Sequence, residues 1–378
     1  MLLSAEQESF RSVVADFANA VIAPAADEYN ANGRFPVEIV RQMGQQGLFG
    51  IPFSSEYGGM DGDLFATCLA IEEIGRVDQS LGITLEAAVG LGAAPIAEFG
   101  TEEHKARWLP ELCTGTALAA FGLTEPGGGS DNRGGTRTRA DLDGDHWVIN
   151  GSKAFITNVG TEITSICTVT AWTGDNEMSA IVVPVDSPGF NVQPAYRKVG
   201  WHGSDTHEIT LEDCRVPADH LLGERGAGLN QFLTILVDGR IAISALAVGL
   251  MQGCVDECVR YAHEREAFGR PLKRLQAIAF KIADMEVSAQ AGRQMWQHAV
   301  ARKQAGLPYR MQASAAKLFT SEQAVTVARE AAQVFGGYGF MTEYRVGRFY
   351  QDAKILEIGE GTSEVQRILI SRELGLGR

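Results

Sequence analysis

The sequence predicts an α+β chain of three domains, helical, then β-rich, then helical again. Three observations predict it. Residues 1–115 carry amphipathic helical patterns broken by Gly and Pro, and residues 116–225 switch to short β-rich runs separated by turn residues. From residue 226 to 378 long helical patterns return. A chain of 378 residues is long enough for two or three domains with cores of their own.

In the first domain the spacing predicts helices over Ser4–Val21, Val37–Gly47, Leu64–Ile74 and Ala87–Phe99, with a turn at Tyr57-Gly58-Gly59. In the second, strands are predicted over Ala117–Leu123, Trp147–Asn150, Ser165–Ala171, Ser179–Val183 and Glu208–Leu211. Asp143-Gly144-Asp145 and Asn150-Gly151 read as turns, the second being a favoured hairpin dipeptide. In the third, helices are predicted over Gly228–Ala262, Leu275–Gln304, Met311–Phe335 and Ser363–Leu374. Ser363 with Gln366 fits an N-capping box, Ser-x-x-Gln, for the last of these. The chain has no internal repeat and no low-complexity tract.

Apolar residues make up 45% and charged residues 21%, an ordinary globular balance. Lys plus Arg number 33 against 47 Asp plus Glu, a net charge of −14, which argues against nucleic acid or an anionic membrane as the main partner. A small anionic ligand stays open, because a few Arg and backbone N–H groups suffice for one phosphate. The longest strongly apolar run, about residues 241–251, is short for a bilayer, and the N-terminal residues lack the pattern of a signal peptide. The six cysteines are scattered without a CxxC pair. Cys254 and Cys258 share a helix face with no third ligand, so buried thiols are expected rather than a metal site, in a reducing, cytoplasmic setting.

Five segments carry possible chemistry. Glu360 stands between Gly359 and Gly361, just ahead of a helix start, where flanking glycines let backbone and ligand approach closely. A helix start favours its charged form, so a useful base also needs apolar surroundings. Phe121-Gly122-Leu123-Thr124-Glu125-Pro126-Gly127-Gly128-Gly129-Ser130-Asp131 ends a strand in a loop suited to a polar ring edge or a phosphate. Phe155-Ile156-Thr157 would set an aromatic plane and a hydroxyl on one strand face. Arg265 through Pro271, with Gln276, and Gln333 through Gly339 offer a guanidinium, amides and glycines. Each segment alone also fits a purely structural part: a dipole-complementing glutamate, a plain turn, a core Phe, a charged loop, a glycine C-cap. Arg240, at the start of a long helix, reads equally as a surface cation or as a partner to Glu360.

In their order and spacing these segments resemble the acyl-CoA dehydrogenase family over essentially the whole chain. Thr124 to Asp131 matches the family's TEPGxGSD loop, Arg265 through Gln276 its RxxFG followed by Gln, Gln333 to Gly337 its QxFGG, and Gly359 to Gln366 its EGTSE[IV]Q segment. The resemblance implies a helical N-terminal domain, a central β-barrel or sandwich, and a C-terminal four-helix bundle. It implies FAD as cofactor and oxidation of an acyl-CoA, short or medium and straight or branched, to the 2-enoyl-CoA. Glu360 would be the base, with Ser130, Arg240 and Gly361 at the substrate. Phe121, Leu123, Thr124, Gly129 and Ser130 would contact the flavin. Phe155, Ile156 and Thr157, where the family often has Trp-Ile-Thr, would stack near its ring. Arg265, Phe268, Gln276, Gln333, Val334, Gly336 and Gly337 would reach the FAD of a neighbouring subunit, and Thr362 and Glu364 its adenosine side. Electrons would pass to electron-transfer flavoprotein, and the assembly would be a homotetramer built as a dimer of dimers. An acyl-CoA oxidase reoxidised by oxygen and a non-catalytic partner subunit are the rival readings. The chain departs from the family at Gly359, often aromatic, and at Asp238, one place later than in the common form. Glu86 matches a glutamate near the acyl pocket of some medium-chain members, although a solvated face is the commoner place for such a residue.

Overall fold

A computed structural model of the chain describes residues 2–377. The first helix, α1 (Ala5–Phe17), starts at a capping box in which the Ser4 side chain accepts from the Gln7 N–H and Gln7 returns a bond to the Ser4 N–H. It runs through a π-helical turn (Ala18–Ile22) into α2 (Ala23–Asn32), which the sequence reading missed. Then come α3 (Val37–Gln45), α4 (Leu64–Val77), capped by Asp63, and α5 (Gln79–Glu86), capped by Asp78. The helix predicted over Ala87–Phe99 is in two parts, a π-helical stretch (Ala87–Ala93) and α6 (Ala94–Phe99). Gly90 and Gly92 weaken the α ladder there, and Pro95 withholds an N–H from it. The last element before the sheet is α7 (Glu102–Thr114), closed by Gly115 in the left-handed region.

The middle of the chain forms β1 (Leu118–Gly122), β2 (Arg139–Asp143), β3 (His146–Thr157), β4 (Thr164–Gly174), β5 (Glu177–Pro184), β6 (Phe190–Val192), β7 (Thr206–Pro217) and β8 (Leu221–Leu222). They build one eight-stranded mixed sheet in the order β6-β7-β3-β2-β4-β5-β8, with β1 parallel to β4. Asp143-Gly144-Asp145 makes the β2–β3 turn. Asn150-Gly151 is no turn: it lies inside β3 at a bulge against β7, where Asn150 and Asp213 exchange hydrogen bonds. Glycine is required because a Cβ at Gly151 would lie 2.6 Å from the Thr138 Cα. Alternate residues of β5 serve different cores: Ala180 and Val182 join the helices, Ile181 and Val183 face Trp147, Val169 and Ile209. Strands five places apart in the order thus share one interior, so the sheet curls around it.

Beyond the sheet run α8 (Gly228–Glu264), a small hairpin of β9 (Glu266–Ala267) and β10 (Arg270–Pro271), α9 (Gln276–Gln304), α10 (Arg310–Phe335), α11 (Arg345–Leu356) and α12 (Ser363–Glu373). The central α8 packs against α9 and α10 on one side and α4 on the other, making one core with the N-terminal helices. Gln79–Phe99 and Gly228–Glu264 are long and apolar enough to cross a membrane, but 78% and 83% of their most apolar windows are buried inside the molecule. They are core helices. Thr362, not Ser363, caps α12: its hydroxyl accepts from the Val365 N–H at 3.3 Å. The predicted Ser363–Gln366 box does not form, because the Ser363 N–H donates to the Glu357 carbonyl at 3.0 Å, and the Gln366 amide N–H donates to the Gly361 carbonyl.

Candidate active site

The turn between α11 and α12 presents Glu360. Glu360 and Gly361 both have left-handed backbone, at φ 51° and 94°, and this is an uncommon state for a residue with a side chain. The neighbours hold it there. Lys317 Nζ, from α10, donates to the Gly361 carbonyl at 2.8 Å, and Gln366 Nε2 donates to the same oxygen at 2.8 Å. The Glu360 side chain is thereby aimed inward: both carboxyl oxygens are buried and accept from no N–H and no Ser, Thr or Tyr hydroxyl of the described residues. The Glu360 N–H likewise finds no acceptor among them. Against the carboxyl runs α8, at a glycine. A Cβ at Gly239 would lie 2.2 Å from Glu360 Oε2.

Burial pushes the Glu360 carboxyl up to about 7, while contact with Glu86 and the charges of Lys317 and Arg240 pull the other way. Arg240 is not a surface cation. It is 7% exposed, its Nε lacks an acceptor among the described residues, and burial lowers its proton affinity against the pull of Glu360. Glu86, for which the sequence left open a solvated face or a place near the acyl pocket, is completely buried at the end of α5. Its carboxyl is held far above the usual range by burial and by the charge of Glu360. Asp238, one residue before Gly239, turns instead to Lys303 and to the Tyr309 hydroxyl.

The other residues singled out by sequence fall in two further places. Phe121 on β1 stacks on Phe232 of α8 with ring centroids 3.9 Å apart, and Leu123 is buried in the core. Thr124 is half-buried, and Gly129 and Ser130 are exposed in the loop that follows. Glu125 fastens that loop. Its carboxylate accepts from the Arg137 N–H (2.6 Å), the Thr138 hydroxyl (2.6 Å) and the fully buried Lys153 ammonium (2.8 Å). Burial would raise Glu125, but the Lys153 charge and these bonds bring it below the usual carboxylate range. Phe155 sits at a bulge of β3 with φ 60°, 65% exposed and stacked on Tyr196, while Ile156 is buried and Thr157 half-buried.

The second place is a cavity of about 530 Å³ lined by Arg265, Val334, Gly336, Gly337, Tyr261 and Tyr338, among others. Arg265 makes no ion pair among the described residues; its guanidinium lies 5.7 Å over the Tyr338 ring. A Cβ at Gly336 or Gly337 would meet nothing within 4 Å, so bare backbone faces the space. Gln333, Gln276 and Phe268 are exposed nearby in sequence, and Thr362 and Glu364 stand at the start of α12. Arg265 is 25 residues along the chain from Arg240, about 37 Å of helix, so one chain keeps this cavity well apart from Glu360.

These surfaces fit FAD. An exposed aromatic plane and a hydroxyl lie beside a glycine loop, as a flat heterocycle needs, and an unpaired guanidinium over bare backbone suits a phosphate. Among the described residues no cluster of His, Cys, Asp and Glu could hold a metal, and all six cysteines are free and buried. Lys317 and the Glu125–Lys153 pair escaped the sequence reading, and Glu86 was singled out only through the family resemblance. The available signal was isolation: Glu86 is the lone ionisable residue between Asp78 and Glu98, and Lys317 the lone cation in an Ala-rich stretch.

Comparison with known proteins covers the chain from end to end. Family models described as the acyl-CoA dehydrogenase N-terminal, middle and C-terminal domains match residues 4–116, 120–214 and 226–375. A probable acyl-CoA dehydrogenase of Bacillus subtilis is 48% identical, with 98% of each chain covered. The structure of butyryl-CoA dehydrogenase from Megasphaera elsdenii is 38% identical, with a TM-score of 0.95 and 99% of each chain covered. A chain solved in work on the electron transferring flavoprotein of Acidaminococcus fermentans is 40% identical, with a TM-score of 0.96 and 99% of each chain covered.

Proposed function

Since the chain belongs to the acyl-CoA dehydrogenase family, whose members bind FAD, we propose that it oxidises a short-chain acyl-CoA to the trans-2-enoyl-CoA with Glu360 as base. One observation carries this reading: a dry carboxyl, bonded to no N–H and no Ser, Thr or Tyr hydroxyl of the described residues, is fixed in a strained turn. Such a group keeps its basicity for a ligand. Its affinity near neutrality matches the task, since a base works best with a pKa close to the operating pH.

A thioester Cα–H is weakly acidic, so its removal requires that charge growing on the carbonyl oxygen be held by preset donors. The free Glu360 N–H is one such donor, and Arg240 and Lys317 add positive potential to the niche. The ionised Glu360 carboxylate takes the Cα proton. FAD, when bound, supplies the acceptor for the Cβ hydrogen and its electron pair. Gly239 leaves room for the base beside α8. Arg265, Gln333 and the Gly336–Gly337 backbone hold the cofactor of a neighbouring subunit, which the helix length between them and Glu360 supports.

The short-chain preference and an electron-transferring flavoprotein as acceptor are supported by the butyryl-CoA dehydrogenase and Acidaminococcus relatives. A cytoplasmic setting is supported by the six free, buried thiols. The test is anaerobic mixing of the FAD-loaded chain with straight and branched acyl-CoAs, followed by reoxidation with electron-transferring flavoprotein or with air. Bleaching by short chains with slow reoxidation in air is expected. Fast reoxidation with one peroxide per substrate would make the chain an oxidase, and no bleaching by any acyl-CoA would end the proposal.

A further inference from the structure

Glu86 and Glu360 bring two carboxyls into one niche from distant parts of the chain. Glycines make the room on both sides: a Cβ at Gly90 would stand 3.0 Å from Glu86 Oε1, and one at Gly239 would stand 2.2 Å from Glu360 Oε2. All four carboxyl oxygens are buried, and none accepts from an N–H or from a Ser, Thr or Tyr hydroxyl of the described residues. Among the described residues, the one hydrogen-bonding contact open to either carboxyl is the other. Such a bond exists only with a proton on one of them, because two bare carboxylates in contact in a dry site repel.

The surroundings decide which carboxyl keeps it. Arg240 of α8 and Lys317 of α10 act on Glu360, whereas among the described residues no cation acts on Glu86. The stretch carrying Glu86 brings no other ionisable group between Asp78 and Glu98. Glu360 therefore ionises first and Glu86 remains protonated. Neither Arg240 nor Lys317 forms an ion pair with Glu360, so the Glu86 hydroxyl is the short-range donor to the carboxylate.

Resting on the reading of Glu360 as base, we propose that Glu86 is a positioning residue for it: Glu86 keeps a proton, donates it as a hydrogen bond to one Glu360 oxygen, and leaves the other oxygen free for the substrate's Cα–H. The bond fixes the rotamer of the base and sets the pH at which it becomes active. When Glu360 takes the Cα proton, the C–H electron pair stays with the substrate and the pair becomes two neutral acids. Charge does not accumulate on Glu86 at any point.

Two substitutions separate the donor from the packing. Glu86→Gln keeps volume and an N–H donor, whereas Glu86→Leu keeps bulk and removes the donor. Both are made as FAD-loaded enzyme. Glu86→Leu should move the acid limb of the kcat/KM profile upward by about one pH unit or more, and Glu86→Gln should stay within about half a unit of the parent. A readout independent of turnover is the infrared band of buried protonated carboxyls at about pH 8, above the Glu360 transition. The parent should retain this band and Glu86→Gln should lose it. An unmoved acid limb in Glu86→Leu, an equal shift in both variants, or no band difference would each overturn the assignment. A parent that shows the band but bleaches with no acyl-CoA would overturn the dehydrogenase reading while leaving the shared proton standing.

Discussion

Lys317 Nζ donates a 2.8 Å hydrogen bond to the Gly361 carbonyl, tying the middle of α10 to the turn that carries Glu360. The ammonium is buried. Desolvation pushes it down to about 8, opposed by the charge of Glu360. It acts on the base twice, through the backbone it holds and through the field it adds.

Lys317→Met keeps the stem and removes the charge and the donor. A hydrogen bond from a charged group is worth about 1.5–3 kcal/mol, so kcat should fall about tenfold or more as the turn loosens. The acid limb of the pH–rate profile should move upward, because a cation that favours the ionised base is gone. FAD content and a pH series on the variant check both. An unchanged kcat together with an unmoved limb would show that the turn holds itself.

Gly239→Ala puts a methyl where Glu360 Oε2 now lies, 2.2 Å away, so the carboxyl has to move. Misplacing a base by about 1 Å costs about a hundredfold in rate. Turnover should fall by that order with the FAD spectrum and thermal melting close to the parent. A crystal structure of the variant would show the displaced side chain.

Asp352, on α11, is buried and accepts from the Trp201 N–H at 2.5 Å. Burial raises its carboxyl from 3.8 to about 7, with the Trp201 bond, Arg348 and Lys198 opposing and Asp78 assisting. The folded chain therefore binds a proton that the unfolded chain has released between these two values. That contribution to stability is complete below about pH 4 and is lost as pH rises through about 7. Asp352→Asn cannot ionise, so the drop in urea midpoint between about pH 5 and pH 8 should be smaller in the variant than in the parent.

Arg265→Ala and Gln333→Ala test the shared cofactor site. Each should raise the FAD dissociation constant by about tenfold and weaken subunit association together with it. Sedimentation of apo and FAD-loaded protein reads both quantities. Unchanged FAD affinity and assembly in both variants would confine the cofactor to one chain.

The order of domains and the four matched segments were legible because they rest on local patterns: helical spacing, strand runs and glycine turns. Glu86 was legible only through the resemblance. In sequence it is one carboxylate on a helix, and its niche exists only when the turn before α12 brings Glu360 beside it. Local preference also misled at Asn150-Gly151, where pairing with β7 and the approach of Thr138 use the dipeptide as a bulge. The α12 cap moved by one residue for a similar reason. The Ser363 N–H that a capping box would offer to the Gln366 amide oxygen already donates to the Glu357 carbonyl, and the Gln366 amide N–H donates to the Gly361 carbonyl, a bond that helps to hold the base.

Anaerobic flavin bleaching by butyryl-CoA, compared between the parent and Glu360→Gln at equal FAD content, tests the central claim most directly. The account predicts prompt bleaching of the parent and none beyond a trace in the variant, whose amide cannot take the Cα proton. Bleaching of the variant within a few-fold of the parent rate would contradict it.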